Sequence, residues 1–275
     1  MLKSKTMNIH KEGDLVFLSF PKIDASGVAS CVFSTKFGGV GTDDFATMNM
    51  SFSRGDSEDT VLENYRRLCS AAGIDSERLI FTKQTHSTNV EVADLKYLGN
   101  KTPVDENYND IDGLITDMAG VGLVSQYADC VPLVFCDPIK RIVATSHAGW
   151  RGTVGKIAEV TVKKMKSDFD CNPKDIIAGI GPSVGLCCYE VDDPVMEKVK
   201  ALDGIDLSRV YTEKGNGKYM LDLKELNRRI MIKSGICPDN IDVADICTCC
   251  ECDTFFSHRV CGEKRGNLAL IVALK

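Results

Sequence analysis

Three residues of this chain have the types and neighbours needed to gather a metal ion. His147 lies in Ser146-His147-Ala148-Gly149-Trp150-Arg151-Gly152-Thr153, His86 in Gln84-Thr85-His86-Ser87, and Cys130 in Tyr127-Ala128-Asp129-Cys130. Two imidazoles and one thiolate form a borderline-soft donor set that suits Zn2+. Three protein ligands leave a fourth position for water or substrate, which marks a catalytic zinc rather than a structural one. Zinc held this way lowers the pKa of its water to about 7. Spacing alone does not single this reading out. A lone Cys is also a common small buried hydrophobe, and a lone His a common hydrogen-bonded packing residue.

For the three to meet, each must sit at the end of a strand. The apolar run Ile142-Val143-Ala144 leads to His147, and a helical pattern begins near Val154. Leu79-Ile80-Phe81 leads toward His86, and the run 131–135 follows Cys130. Strand ends beside helix starts expose unpaired backbone N–H groups, so reactive side chains there find donors. Strands are also expected at 14–20 and 29–35, joined by a Pro-containing loop, and at 88–94, 113–115, 121–124, 176–180, 241–246 and 268–274. Val61, Leu62, Tyr65, Leu68, Cys69 and Ala72 share one helical face that Gly73 closes. Val154, Ile157, Ala158, Val162 and Met165 share another. Asp193-Pro194 reads as an N-cap followed by Pro at the first helical position. Asp222 and Glu225 read as a capping box for a helix ending at Gly235. Residues 99–110 read as a polar loop. Phe37-Gly38-Gly39-Val40-Gly41 is a glycine-rich turn without the Lys-Ser/Thr ending of a phosphate-binding loop. Strands and helices do not alternate strictly, which predicts an α+β fold with mixed sheets.

The 275 residues suit one large domain or two small ones. With 44% hydrophobic and 26% charged residues, a net charge of −6 and dispersed Lys and Arg, the chain is not expected to bind nucleic acid. No apolar run approaches the roughly 18 residues of a membrane span. The opening residues lack the apolar core of a signal peptide, so no membrane partner and a cytoplasmic location are expected. Thirteen cysteines, an odd number without an export signal, predict reduced thiols rather than a disulfide framework. The densest group is Cys247, Cys249, Cys250 and Cys252, with Cys261 beyond. Its C-x-C-C-x-C pattern is not the usual pair of separate C-x-x-C knuckles, so a second metal and free thiols both remain open. Packing is the expected role of Cys187-Cys188. Four His in the whole chain exclude a multicopper oxidase, which needs on the order of ten.

The segments TKQTHSTNV, YADCVPLVFCDP, SHAGWRGT, GIGPSVGLCCYEV and FFSHR, together with NMSFSRGD, resemble the laccase-domain family of purine nucleoside phosphorylases, long called polyphenol oxidases. The resemblance runs from about residue 15 to residue 274. It implies a single catalytic domain over 1–275, with 1–13 a loose N-terminal segment. The implied fold is a layered α+β sandwich of mixed sheets covered by helices. It implies Zn2+ held by His86, Cys130 and His147. The implied partners are purine nucleosides and inorganic phosphate: adenosine, inosine, guanosine or methylthioadenosine would give free base and ribose 1-phosphate, and adenosine would also be deaminated. The oligomeric state is left open, and a monomer is compatible with the sequence. Tyr127 stands where the family varies, and His258 and Val260 depart from the family pattern and leave the far wall of the pocket undefined.

Within that expectation, the N–H groups of Arg151, Gly152 and Thr153 at a helix start, with the Arg151 guanidinium, are candidates for binding phosphate. Arg54 is a second cation candidate. Asn49 and Gln84 carry amides suited to purine or ribose edges. Asp129 is the candidate proton carrier, since no H-x-E motif is present. Trp150 would stack on a base or pack in the interior. The alternative chemistry is a metal-free hydrolase or deamidase with Cys130 as nucleophile and His147 as base. Such a dyad does not require His86.

Overall fold

The computed structural model describes residues 2–99 and 108–275, so most of the expected polar loop at 99–110 lies outside the described residues. The chain begins with strands β1 (Asn8–Glu12) and β2 (Leu15–Ser19), helix α1 (Pro21–Ser26), strand β3 (Ala29–Ser34) and helix α2 (Glu58–Ala72). Six strands follow: β4 (Leu79–Phe81), β5 (Val90–Val92), β6 (Gly113–Thr116), β7 (Gly122–Tyr127), β8 (Val131–Asp137) and β9 (Ile142–Ala148). Helices α3 (Trp150–Val154) and α4 (Ile157–Phe169) lead to β10 (Ile177–Ile180), β11 (Glu190–Asp192) and α5 (Asp193–Lys200). The remainder is β12 (Tyr211–Gly215), β13 (Lys218–Leu221), α6 (Leu223–Lys233), β14 (Ile241–Val243), α7 (His258–Cys261) and β15 (Leu268–Leu274).

Two six-stranded mixed sheets form the centre, in the orders β1-β2-β3-β15-β7-β4 and β14-β10-β8-β9-β6-β5. Side chains alternate between two cores, as strand geometry requires. Along β15, Leu268, Leu270 and Val272 enter the core between the sheets, while Ala269, Ile271 and Ala273 face the core under α2. Along β8, Val134 and Cys136 face the first sheet, while Leu133 and Phe135 face the core with α4 and α6 residues. The result is a helix–sheet–sheet–helix sandwich, the layered α+β arrangement expected. Covering both faces explains why these strands read as unbroken apolar runs rather than as an alternation. The small third sheet, β11-β13-β12, lies outside that pattern.

Local chemistry sets the helix ends. The Ser57 hydroxyl accepts from Thr60 N, and Gly73 at φ 65° closes α2 in the left-handed conformation. The Asp222 carboxylate accepts from Glu225 N at 3.0 Å, as the expected cap does. Three expectations need correction. The described part of the N-terminal segment, residues 2–13, is not loose: β1 pairs with β2, and Ser4 and Lys5 donate to the Asp245 carboxylate at 2.5 and 2.9 Å. Asp193 is not the cap of α5; it is the first helical residue, and its carboxylate accepts from Tyr219 Oη at 3.0 Å. The helix expected from Val154 is two helices. Lys156, at φ 61°, breaks the chain between α3 and α4. Gly155 beside it passes so close to the loop after His86 that a Cβ would meet Thr88 Cγ2 at 2.5 Å.

Candidate active site and metal centre

The hairpin β8–β9 sets the site. Its register pairs Val131 with Ala148 and Pro132 with His147, so Cys130 lies beside Gly149 at the open end. A Cβ on Gly149 would stand 2.6 Å from His86 Nδ1 and 3.3 Å from Cys130 Sγ. Only a residue without a side chain admits both ligands at that point. His86 comes from the loop after β4 and adopts φ 67°; Asp129, next to Cys130, adopts φ 81°. Such left-handed conformations cost non-glycine residues on the order of 1–3 kcal/mol and persist where the surroundings impose them.

The imposing group for His86 is Asp112, fully buried just ahead of β6. Its carboxylate accepts from the backbone N–H groups of Thr85 (2.9 Å), His86 (3.2 Å) and Ser87 (2.9 Å) and from the Ser87 hydroxyl (3.0 Å). It also bonds His147 Nδ1 at 2.7 Å, and its carbonyl accepts from His147 N at 2.7 Å. One side chain therefore anchors both imidazole-bearing segments and leaves His147 Nε2 free to ligate, the usual carboxylate–histidine support of a metal ligand. The ligand atoms of His86, Cys130 and His147 all lie within 4.8 Å of one another. The imidazole rings meet edge to face with centroids 4.8 Å apart.

The electrostatics favour ionised partners. Burial opposes ionisation of Cys130. The charge on His147 and hydrogen bonds from both imidazoles outweigh it and bring the thiol down to about 6. Burial also opposes the charge on His147, and the Cys130 thiolate with Asp112 lifts that imidazole to about 9. A thiolate and two imidazoles converging beside a Cβ-free cradle fit a borderline-soft divalent ion.

Two cavities, of 380 and 530 Å³, open on either side of the His86–Cys130 pair and share Ala128. The first has Phe52 and Phe81 on one wall and Arg54, Lys83 and Arg265 among its cations. Arg265 is 5% exposed, and Nε of both Arg54 and Arg265 is buried with no partner. Arg54 Nη1 pairs with Glu263 at 2.6 Å. The second cavity is bounded by Trp150, Arg151, Tyr189, His258 and Arg259.

The structure places the expected residues unequally. Arg54 and Gln84 line the first cavity and Arg151 the second. The Gln84 amide is largely committed: it accepts from Gln126 N and donates to Gln126 O, both at 2.8 Å. Asn49 is fully buried and lines neither cavity. Its amide binds Ser51, Asp56 and Asn267 N, so it shapes the wall instead of touching a ligand. The expected anion cradle at Gly152 and Thr153 is not available. Thr153 N donates to Gly149 O at 2.8 Å, its hydroxyl accepts from Asn227, and Gly152 is buried against the carbonyls of Ser87 and His147. Asp129 is not a free proton carrier. It accepts from Thr248 Oγ1 (2.7 Å), Ser257 Oγ (2.9 Å) and Arg259 N (2.6 Å). One face of Trp150 is covered by the Arg151 guanidinium, 4.4 Å from the ring centroid. His258 and Arg259 stand on the far wall, while Val260 is 50% exposed outside it. Tyr127 is buried behind His147. Sequence reasoning missed Asp112, hidden in an Asp-Gly pair, and Arg265, hidden in the polar run 263–267.

A model of the family described as multi-copper polyphenol oxidoreductase laccase matches residues 30–275. The chain is 37% identical to the purine nucleoside phosphorylase YlmD of Bacillus subtilis over 88% of its length and 87% of that protein's. It is 35% identical to the adenosine deaminase RL5 of an unknown prokaryote, over 86% of its length and 90% of that protein's. The crystal structure of YlmD from Geobacillus stearothermophilus superposes with a TM-score of 0.88 at 34% identity, covering 97% of this chain and 98% of that one.

Proposed function

The chain belongs to the laccase-domain family, and from that premise we propose that it is a zinc-dependent purine nucleoside phosphorylase acting as a single catalytic domain. Relatives named as such, over most of both chains, support the reaction class. The observation that carries the reading is the joining of the His86–Cys130–His147 group to a cavity lined by Arg54 and Arg265, whose Nε atoms are buried without a partner. A cation's buried N–H without an acceptor favours an anion, and phosphate is the anion this reaction consumes.

The family description names copper, but the donor set speaks for a single zinc. His10 is engaged elsewhere, stacked on Phe17 and bonded to Ser19, and His258 stands across the second cavity. His86, Cys130 and His147 would hold the ion, and when bound it supplies a Lewis-acid charge at the junction of the cavities. Arg54 and Arg265 would orient and neutralise phosphate beside the ribose. This replaces the Arg151–Thr153 cradle, and Arg151 is left to border the nucleoside's cavity. Ala128, like His86 and Cys130, lines both cavities. Asp112 would hold the proton on His147 Nδ1 and keep Nε2 toward the ligand.

Adenosine deamination is a second activity, supported by the relative named for it. Among the described residues, Asp129 is the only carboxylate lining these two cavities, and three donors occupy it. Deamination would therefore draw its proton carrier from elsewhere. The metal-free Cys130–His147 dyad also has an ionised pair in its favour, and His86 separates the two readings. No described helix is long and apolar enough to cross a membrane, in keeping with a cytoplasmic enzyme.

The test is release of hypoxanthine from inosine with and without phosphate, alongside metal content, in wild type, His86→Ala and His147→Ala. Phosphate-dependent release lost in both variants is expected. Release without phosphate, or full activity of metal-free His86→Ala, would overturn the proposal.

A further inference from the structure

The thiols outside this centre are not equivalent. Cys31, Cys69, Cys136 and Cys171 are buried in apolar surroundings, where cysteine packs as a small hydrophobe. Cys187, Cys188, Cys247 and Cys250 form a different group. Their sulfur atoms all lie within 4.8 Å of one another, with Cys187 and Cys188 each 3.4 Å from Cys250. Cys187 and Cys250 are exposed, so hydrophobic packing does not account for the gathering.

Two tight turns from distant parts of the chain build the group. In one, the N–H groups of Cys188 and Tyr189 donate to Gly185 O at 2.9 and 3.0 Å. In the other, Glu251 N donates to Cys247 O at 3.0 Å. A bridge between Ser183 and Cys247, with Thr248 N on Ser183 O at 3.0 Å, lays one turn against the other. Gly185 allows the approach: its added Cβ would lie 3.2 Å from Cys247 Cβ and 3.4 Å from Cys187 Sγ. Gly185 N also donates to Cys247 Sγ at 3.2 Å, the backbone support that ligating thiolates receive.

From this geometry we infer that Cys187, Cys188, Cys247 and Cys250 form a second, structural Zn2+ site of four thiolates. Zinc–sulfur bonds of about 2.3 Å in a tetrahedron put the sulfurs about 3.8 Å apart, close to the separations seen. An iron–sulfur cluster divides its four thiolates between two or four irons and so spreads them wider. Binding releases the thiol protons, and four thiolates around Zn2+ leave a net charge of −2. A buried cation stands ready beside it. Lys224 is 8% exposed and donates to the carbonyls of Ala244 and Ile246, the latter one peptide before Cys247, at 2.8 Å each. The site is closed by four protein ligands, and none of them lines either cavity.

The consequence reaches the first centre through one residue. Thr248, between two of the ligands, donates to Asp129, and Val184 N donates to Asp129 O at 3.0 Å. The zinc would staple both turns behind the residue that presents Cys130.

Metal analysis of the full chain tests this separately from activity. Wild type should carry two Zn2+, Cys250→Ser and Cys187→Ser one each, His147→Ala one, and the Cys250→Ser/His147→Ala double variant none. Co2+-loaded His147→Ala should show the intense visible bands and thiolate charge transfer of a four-sulfur tetrahedral site. Wild type with a single zinc and four alkylatable thiols would overturn the inference without any variant needing to fold. So would Cys250→Ser retaining two zincs, iron with sulfide in place of zinc, or, in the denatured metal-free chain, a mass deficit of two hydrogen atoms for each disulfide pair.

Discussion

The two sulfur-bearing centres make opposite use of the same side chain. At the first, one thiolate shares its neighbourhood with two imidazoles, and the group opens onto two cavities. At the other, four thiols close on one another between two turns and line neither cavity. Three ligands leave room for a reactant; four do not. What differs is the supporting chemistry. A buried carboxylate steers the imidazoles at the first centre, while a backbone N–H and a buried lysine serve the second. The number and kind of partners, rather than the presence of cysteine, separate the proposed site for chemistry from the proposed site for holding turns together.

The sharpest way to break this contrast is to remove a ligand from each centre. Cys130→Ser should lower phosphate-dependent kcat/KM by on the order of 10³-fold, since a Lewis acid worth several kcal/mol is lost at about 1.4 kcal/mol per decade. Cys250→Ser should leave kcat/KM within about threefold while melting earlier, because that ion acts on the fold. Comparable losses of kcat/KM in both variants would erase the distinction. Next in size is Asp112→Asn. Supporting carboxylates contribute roughly 10–100-fold in metal affinity or activity, and a zinc titration with a competing chelator would read it. Unaltered affinity would mean that the ligands hold themselves. Arg265→Met should raise KM for phosphate by roughly tenfold, the size of a charge-assisted hydrogen bond of about 1.5 kcal/mol, with KM for inosine little changed. The smallest contrast compares two glycines. Gly149→Ala, whose Cβ would meet His86 Nδ1 at 2.6 Å, should weaken the first zinc, whereas Gly185→Ala meets nothing closer than 3.2 Å and should be milder at the second. Equal effects in paired metal titrations would show that the cradle at Gly149 yields.

The layered fold was legible because it depends on local pattern. Buried strands are apolar runs, α2 ends on Gly73 and α6 begins on Asp222, whereas His86, Cys130 and His147 were singled out by the family resemblance and not by their spacing. What escaped depends on residues far apart in sequence. Asp112 reads as a turn residue until β6 pairs with β9 and brings it against His147. Cys187 and Cys188 read as packing until the Ser183–Cys247 bridge brings the second turn against them. Asn49 has an amide suited to a ligand, but nearby backbone and Asp56 consume it, and sequence does not reveal such saturation. The short strands β1 and β12 are largely exposed, and β11 and β13 each bury a single residue, so all four lack the apolar signal.

Asp112 also ties metal binding to the folded state. The segments it joins, residues 85–87 and 147, are distant in sequence and are held together in the fold where β6 pairs with β9. An unfolded chain offers the metal scattered single donors, not a site. Metal uptake at this centre should therefore follow folding instead of nucleating it, and the ion's stabilising effect should grow with its free concentration as a ligand that recognises only the finished structure.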